Sequence, residues 1–197
     1  MSIESKVLGQ QVAYPTDYCP SILVPVPRSL NREIYDIHTP EELFWGFDTW
    51  HAYEAGFLAR NGLPVCGVLK LVYPANSPCI VESKSLKLYL NSLNMTRLGE
   101  DTPSGVETYL QIVKSDLEQI LQTRVEATFF RQAPEKPYFD FQDYTLLEAT
   151  PGIERETFTE YNENPALLES RTTGRGEIKA CSHLLRSNCK ITKQPDW

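Results

Sequence analysis

The stretch Ser104-Gly-Val-Glu-Thr-Tyr-Leu-Gln-Ile-Val-Lys-Ser-Asp-Leu-Glu-Gln-Ile-Leu121 decides the fold expected of this chain of 197 residues. Its apolar side chains recur at helical spacing, at Val106, Leu110, Val113, Leu117, Ile120 and Leu121. Such a stripe is typical of a helix that lies against a core. Ser104 and Glu107 have the spacing of a capping box, so we expect a helix over 105–122. Directly behind it, the alternation of Val125–Phe130 predicts a strand.

Shorter patterns on either side of this helix predict the other elements. Large apolar residues from Leu43 to Phe57 recur at helical spacing and predict a helix over 41–61 that Gly62 ends. The remaining expected elements are strands over 63–73 and 79–83, a helix over 84–94, and strands near 145–148 and over 177–186. Three aromatic residues of the first expected helix are interpreted as core: Trp45, Trp50 and Tyr53.

Charge and hydropathy exclude several classes of protein. The net charge is −7 and the sequence pI is about 5.1, so we expect no basic surface for nucleic acid. No apolar run approaches the roughly 18 residues of a membrane span. The first residues also lack the apolar run of a signal peptide. We therefore expect a soluble, cytoplasmic protein with no direct nucleic-acid or membrane partner.

The cysteine and histidine content argues against metal sites and disulfides. Five cysteines, an odd number without a CxxC pair, predict neither a disulfide framework nor a structural zinc site. The three histidines include no HExxH motif, so a metal enzyme would have few ligands to draw on. We expect no metal in the functional site.

The stretch Glu82-Ser-Lys-Ser-Leu-Lys-Leu-Tyr89 lies where a strand is expected to pass into a helix. A helix N-terminus offers free N–H groups and the positive end of the helix dipole. Together with Ser83, Lys84 and Lys87, this junction suits a phosphate or the edge of a nucleotide. The Glu82 carboxylate suits the paired N–H groups of a guanine-like base. The same residues also fit a capped helix with solvated lysines, and the pattern alone leaves both interpretations open.

A second candidate site lies near the C-terminal end of the sequence, around Cys189 and Asp196. Cysteine acts as a nucleophile only as the thiolate, so it needs a base or a positive field nearby. Arg186 would support the thiolate, and Asp196, seven residues on and across a turn, would move a proton. A small buried thiol and a turn-forming aspartate fit equally. His183 is about 20 Å from Cys189 along an extended strand, too far for a Cys–His pair.

A third stretch, Pro27-Arg-Ser-Leu-Asn-Arg32, places two arginines in a loop. Guanidinium groups suit an anionic ligand or an acidic neighbouring subunit. A solvated loop explains the same residues.

Four stretches resemble the NADPH-dependent 7-cyano-7-deazaguanine reductases, the nitrile reductases of queuosine biosynthesis (the QueF family). They occur in order along essentially the whole chain: Val26–Arg32, Asp48–Trp50 with Gly62–Pro64, Glu82–Ser92 and Ser187–Trp197. The Glu82 stretch is the specific signature. It precedes the cysteine by about a hundred residues, which is similar to the long form of the family with two fused domains.

The resemblance implies an α+β tunnelling fold, in which an antiparallel sheet carries two long helices on one face and oligomerisation closes the barrel. It also implies the start of a second such domain. The expected organisation is a first domain with an N-terminal extension over 1–150, a connector over 151–176, and the opening of an incomplete second domain over 177–197.

The resemblance also implies roles for individual residues. Cys189 would attack the nitrile carbon to form a thioimide, and Asp196 would donate and shuttle protons. Glu82 and Ser83, with the adjacent backbone of Val81, would contact the deazaguanine, and Ser83 and Lys84 would contact NADPH. The resulting expectation is reduction of 7-cyano-7-deazaguanine to 7-aminomethyl-7-deazaguanine, a step that serves tRNA modification.

Two other hypotheses stand beside this expectation. One is a truncated, non-catalytic fragment that binds a purine-like ligand or a partner chain. The other is a different tunnelling-fold enzyme, such as a pterin-type cyclohydrolase, although the few histidines disfavour it. For the reductase we expect a homo-oligomer, or a second chain that completes the second domain.

Overall fold

The computed structural model describes residues 15–38, 45–131, 142–161, 164–167, 176–184, 187–188 and 195–196. The chain divides into two compact units, Met1–Pro134 and Glu135–Trp197. Each is described by itself. The domain limits expected from the sequence, 1–150, 151–176 and 177–197, stay a prediction.

The described part of the first unit contains five strands and three α-helices. The strands are β1 Pro25–Pro27, β2 Phe47–Leu58, β3 Pro64–Pro74, β4 Cys79–Val81 and β5 Glu126–Phe130. The α-helices are α1 Ser29–Arg32, α2 Ser83–Ser92 and α3 Thr102–Leu121, and short 3-10 turns cover Pro20–Ile22 and Glu33–Tyr35. The strands predicted near 63–73, 79–83 and 125–130 and the helices predicted at 84–94 and 105–122 are confirmed.

The long amphipathic helix α3 begins three residues before its predicted start. Its N-cap is Asp101, whose carboxylate accepts the Ser104 N–H at 2.9 Å, while the Ser104 hydroxyl accepts the Asp101 N–H at 3.1 Å. The Ser104 hydroxyl also donates to the Asp101 carboxylate at 2.6 Å, and this bond, together with the one from the Ser104 N–H, lowers the pKa of Asp101. Pro103 stands in the first turn, where a missing N–H costs nothing. The capping box predicted at Ser104 and Glu107 is therefore wrong in position.

The buried face of α3 is also rotated from the predicted stripe. The buried residues are Gly105, Tyr109, Val113, Leu117 and Leu121. Val106, Leu110 and Ile120 flank this face and are only partly buried. The predicted stripe contained only aliphatic residues and omitted Tyr109. Because Tyr109 is buried, the face of α3 that meets the core lies to one side of the predicted stripe.

Strands β2, β3 and β5 form an antiparallel sheet in the order β2-β3-β5, with Trp50 opposite Leu71 and Lys70 opposite Thr128. The helix predicted over 41–61 is wrong: residues 47–58 are strand, and residues 41–44 lie outside the described residues. A register shift between Ala52 and Ala55 changes which side chains face the core. The bulge therefore hides the alternation of the strand.

One face of the sheet carries the core. Along β3, Val65, Leu69, Leu71 and Tyr73 are buried, whereas the residues between them are more exposed. The buried sides of α2 and α3 join these residues in a single hydrophobic cluster. Two helices thus pack on one face of an open antiparallel sheet, which confirms the α+β class and is consistent with a tunnelling-type fold.

The aromatic residues of β2 are less buried than predicted. Trp50 is half-buried against the core, but Trp45 and Tyr53 are exposed. The interpretation of Trp45 and Tyr53 as core residues is therefore wrong, because it depended on a helical spacing, whereas Phe47–Leu58 is a strand.

The segment before β1 is fastened to α2 by two buried serines. The Ser92 hydroxyl accepts the Cys19 N–H at 3.1 Å, and the Ser85 hydroxyl accepts the Val24 N–H at 3.1 Å. Both serine side chains are buried. Since a buried hydroxyl costs free energy without a partner, these bonds specify where the segment lies.

Asp116 on α3 also holds the segment before β1 in place, by hydrogen bonds. Its Oδ2 accepts hydrogen bonds from the hydroxyls of Tyr18 at 2.7 Å and Tyr89 at 2.6 Å. Burial and the neighbouring carboxylate raise the pKa of Tyr18 to about 12, and they raise the pKa of Tyr89 as well. Both phenols therefore stay protonated donors at neutral pH.

The described part of the second unit has two small sheets. β6 Thr145–Leu146 pairs in parallel with β7 Ala180–Cys181, and β8 Ser187–Asn188 pairs antiparallel with β9 Pro195–Asp196. Three 3-10 turns lie at Leu147–Ala149, Ile153–Arg155 and Pro165–Leu167. The strands expected near 145–148 and 177–186 form at the right places but are only two residues long.

Candidate functional site

The junction between β4 and α2 holds the residues predicted to bind a purine-like ligand. β4 pairs with β1 in a register that places Val81 opposite Pro25. Val81 and Pro25 form a non-hydrogen-bonded pair. The hydrogen bonds between the two strands are made by the residues next to them, because the Glu82 N–H donates to the Val24 carbonyl at 2.9 Å. The backbone polar groups of Val81 therefore face away from β1. Its N–H meets the hydroxyl oxygen of Tyr73 at 3.4 Å.

Glu82 is the N-cap of α2. Its Oε1 accepts the Lys84 N–H at 3.0 Å and its Oε2 accepts the Ser85 N–H at 2.7 Å. The capped helix, one of the two interpretations left open by the sequence, is therefore what forms. These two N–H groups are consumed by the cap and are not available to a phosphate. Each carboxylate oxygen keeps a further lone pair, so the fixed carboxylate can still accept hydrogen bonds from a ligand.

A cleft of about 360 Å³ lies between β2 and α2. Residues 50–54 of β2 line one side, and Ser83, Lys87 and Asn91 are among the α2 residues on the other. Burial and the positive charge of Lys70 lower the pKa of His51 in this cleft, so its imidazole is neutral at pH 7. Ser83 is the predicted site residue that opens onto the cleft, and its side chain is exposed.

Arg28 connects two of the sequence stretches that carry the resemblance. Its guanidinium forms an ion pair with Asp48 on β2. It also donates to the Ser77 hydroxyl at 3.0 and 3.2 Å, and Ser77 donates to the Cys79 carbonyl. The Arg32 guanidinium donates to the Ala75 carbonyl. Both arginines thus make contacts within the fold. Arg28 is therefore neither a free guanidinium that waits for an anionic ligand nor part of a solvated loop.

Tyr73 is a residue that the sequence did not point to. Its side chain is buried, and its hydroxyl oxygen accepts the Trp50 indole N–H at 2.9 Å besides the Val81 N–H. Burial raises its pKa, so the hydroxyl is neutral at pH 7. The sequence could have indicated this residue, because Tyr73 lies at an inward position near the end of a predicted strand and a buried phenol needs a polar partner.

The predicted nucleophile and proton donor lie in the second unit. Cys189 lies outside the described residues. The backbone of Asp196 is described, and it stands opposite Ser187, two residues before Cys189. The pairing of Cys189 with Asp196 in one site stays a prediction.

Glu148 holds the segment that precedes strands β8 and β9 in the sequence by hydrogen bonds. Its Oε1 accepts hydrogen bonds from the Ser182 hydroxyl at 2.7 Å, the His183 N–H at 2.5 Å and the Leu184 N–H at 3.0 Å. These bonds lower the pKa of Glu148 from its ordinary value of 4.5. A single carboxylate oxygen therefore holds three donors within seven residues of Cys189.

This contact has a predictable pH dependence. Because the pKa of Glu148 is lower in the folded state, its stabilising contribution is present above about pH 4.5 and is lost as the pH falls through the folded pKa. We expect the NMR amide signals of His183 and Leu184 to titrate with a midpoint below 4.5. The Glu148→Gln variant should abolish this titration. A midpoint at or above 4.5 would show that the carboxylate does not hold these amides.

The remaining features of the described residues concern metal ligands, long helices and thiols. In that part of the chain, no group of three or more His, Cys, Asp or Glu side chains is placed to hold a metal ion. No described helix is long and apolar enough to cross a membrane. Four described cysteines are free thiols, namely Cys19, Cys66, Cys79 and Cys181.

Comparison with known proteins supports the resemblance. Residues 14–129 match the family model described as nitrile reductase, 7-cyano-7-deazaguanine-reductase N-term. A protein of Acinetobacter baumannii (strain ACICU) named NADPH-dependent 7-cyano-7-deazaguanine reductase is 39% identical over 198 residues, which cover 100% of this chain and 68% of the relative. One of the same name from Coxiella burnetii (strain Dugway 5J108-111) is 35% identical and covered over 66% of its length.

Proposed function

Since the chain belongs to the 7-cyano-7-deazaguanine reductase family, we propose that it reduces the nitrile of 7-cyano-7-deazaguanine to an aminomethyl group with NADPH, in queuosine biosynthesis. The observation that carries the proposal is the identity of 39% across all of the chain to a relative with that activity in its name. The chain spans 68% of the length of that relative.

The geometry of the β4–α2 junction supports the proposed substrate. A guanine-type edge presents neighbouring N–H donors, and a carboxylate held in one orientation is a matched acceptor. The two backbone N–H groups hold the Glu82 carboxylate in this way before any ligand binds. We assign Glu82 and Ser83 to the deazaguanine, and with them the backbone of Val81, whose side chain is buried.

Cys189 and Asp196 carry the proposed chemistry. The Cys189 thiolate adds to the nitrile carbon, a carbon–sulfur bond forms, and the nitrile nitrogen takes one proton from Asp196 to give a thioimide. Bound NADPH supplies the hydride equivalents, two for each nitrile reduced to an amine. Asp196 passes further protons to the nitrogen, and the carbon–sulfur bond breaks to return the Cys189 thiolate.

The residues near Ser83 fit an anionic cofactor such as NADPH. The Ser83 hydroxyl is exposed, and Lys84 and Lys87 stand on the same first turns of α2. Neither lysine takes part in an ion pair with another described residue. Two positive charges and an exposed hydroxyl therefore lie on the first turns of α2, and we assign Ser83 and Lys84 to NADPH.

The assembly and location of the protein are also proposed. Among the described strands, β2 and β5 are the outer strands of the open sheet, and an outer strand can pair with another chain. We propose a cytoplasmic homo-oligomer, or an assembly with a second, different chain. Sedimentation velocity of the purified protein separates a monomer from these assemblies.

A turnover assay tests the proposed function. The protein is incubated with 7-cyano-7-deazaguanine and NADPH, and the aminomethyl product is measured by mass spectrometry. We expect two NADPH oxidised for each product formed. Cys189→Ala should form none, and Cys66→Ala, which removes an exposed thiol, is the matched control and should act like the wild type. Ligand binding without any product would contradict the proposal and favour a non-catalytic binding module.

A further inference from the structure

The hydrogen bonds of Tyr73 join sequence stretches that are far apart along the chain. Its hydroxyl oxygen accepts the Trp50 indole N–H from β2 at 2.9 Å and the Val81 N–H from β4 at 3.4 Å. In the β2–β3 register, Tyr73 itself stands opposite Asp48, whose carboxylate holds Arg28. Two of the four stretches that carry the family resemblance therefore meet around Tyr73, which belongs to none of them, and a third stretch begins at Glu82, the residue after Val81.

The β4–α2 junction depends on few anchors. β4 has only three residues, and its pairing with β1 leaves the backbone of Val81 facing the other way. On one side the Glu82 N–H is held by the Val24 carbonyl. On the other side the Val81 N–H is held by Tyr73. The cap N–H groups hold the carboxylate relative to α2, and these two backbone hydrogen bonds, one from each side, help to set where the Val81–Glu82 backbone lies.

We propose that Tyr73 is a positioning residue for the substrate: its buried hydroxyl orients the Val81–Ser83 junction so that the Glu82 carboxylate meets the deazapurine. This inference rests on the proposed function. Tyr73 does not touch the substrate itself, because its side chain is 1% exposed. It acts through Val81 on one side and on the other through Trp50, which lines the cleft that Ser83 also lines. A binding residue is held in its productive geometry by such a supporting layer.

Tyr73→Phe tests this role because it removes one oxygen atom and keeps the ring. The lost acceptor serves the ground state and the transition state alike, so KM for 7-cyano-7-deazaguanine should rise about tenfold while kcat stays within about twofold. The matched control is Tyr109→Phe. Tyr109 is equally buried, and its hydroxyl has no hydrogen-bond partner among the described residues. It should leave both constants unchanged.

A second variant guards against misfolding of Tyr73→Phe. Incorporation of 3-fluorotyrosine at position 73 keeps the volume and the hydroxyl but weakens the oxygen as an acceptor, and should raise KM in the same direction by a smaller factor. A lowered Tm with unchanged KM in both variants would overturn the proposal and leave Tyr73 a structural residue. Wild-type protein that neither binds nor reduces the nitrile would overturn the proposed function, and this inference with it.

Discussion

Serine in place of Glu82 is expected to lower kcat/KM for 7-cyano-7-deazaguanine by about 100-fold and to leave the Tm nearly unchanged. The Glu82 side chain has two roles in this account, as N-cap of α2 and as acceptor for the base. Serine is a favoured N-cap and can take over the N–H of Ser85. It has no carboxylate, so both hydrogen bonds to the base lose their charged acceptor.

The size of this effect follows from two hydrogen bonds. Each bond to a charged group contributes about 1.5–3 kcal/mol, so the loss is at least about 3 kcal/mol, or roughly 100-fold. The matched variant is Glu82→Ala, which removes cap and acceptor together. It should lose activity to the same degree and also about 1 kcal/mol of stability, or roughly 3 °C in Tm.

Steady-state kinetics and thermal unfolding of both variants separate the two roles. If Glu82→Ser retained wild-type kcat/KM, the carboxylate would be a helix cap alone, and the assignment of the base to this junction would fail. If the activity loss followed the Tm loss in both variants, the effect would be one of stability.

Alanine at Gly99 is expected to destabilise the first unit by about 3 kcal/mol, through two additive causes. Gly99 has φ +68°, a conformation that residues with a side chain adopt at a cost. A Cβ at this position would also lie 2.2 Å from the backbone nitrogen of Gly105. Because the obstacle is backbone in the first turns of α3, it cannot rotate away as a flexible side chain would.

Gly62→Ala is the matched control for the conformational cost. Gly62 has φ +88°, and the nearest atoms to its added Cβ are those of the Arg97 guanidinium at 3.2 Å, which can move. This variant should therefore lose only about 1 kcal/mol. Urea unfolding of both variants measures the difference. Equal losses at the two positions would show that the close approach of Gly99 and Gly105 does not constrain the fold.

The sequence predicted most of the elements whose pattern is local and unbroken. The helix α3 was evident because its apolar residues repeat without interruption, and β3 because its Val and Leu residues are concentrated in one run. Strand β2 was missed because the register shift between Ala52 and Ala55 changes the inward face partway along. When the alternation of apolar residues shifts by one position partway along a strand, the apolar residues can match helical spacing over a short stretch.

The candidate site was predicted in part. Glu82 was identified through its motif, and the structure adds that its carboxylate is fixed by its own helix. Tyr73 and Glu148 were not identified, because their partners are distant in sequence and an isolated tyrosine or glutamate has no pattern. The assignment of Cys189 and Asp196 depends on the family resemblance, and the described backbone adds the pairing of Asp196 with Ser187.

The central claim is that Cys189 of this chain captures the nitrile, and intact-mass spectrometry tests it most directly. The protein is mixed with 7-cyano-7-deazaguanine without NADPH, so that the thioimide accumulates. We predict an increase by the mass of one substrate molecule, which is absent in Cys189→Ala, retained in Cys66→Ala and lost on addition of NADPH. An unchanged mass, or an adduct that persists in Cys189→Ala, would contradict the account.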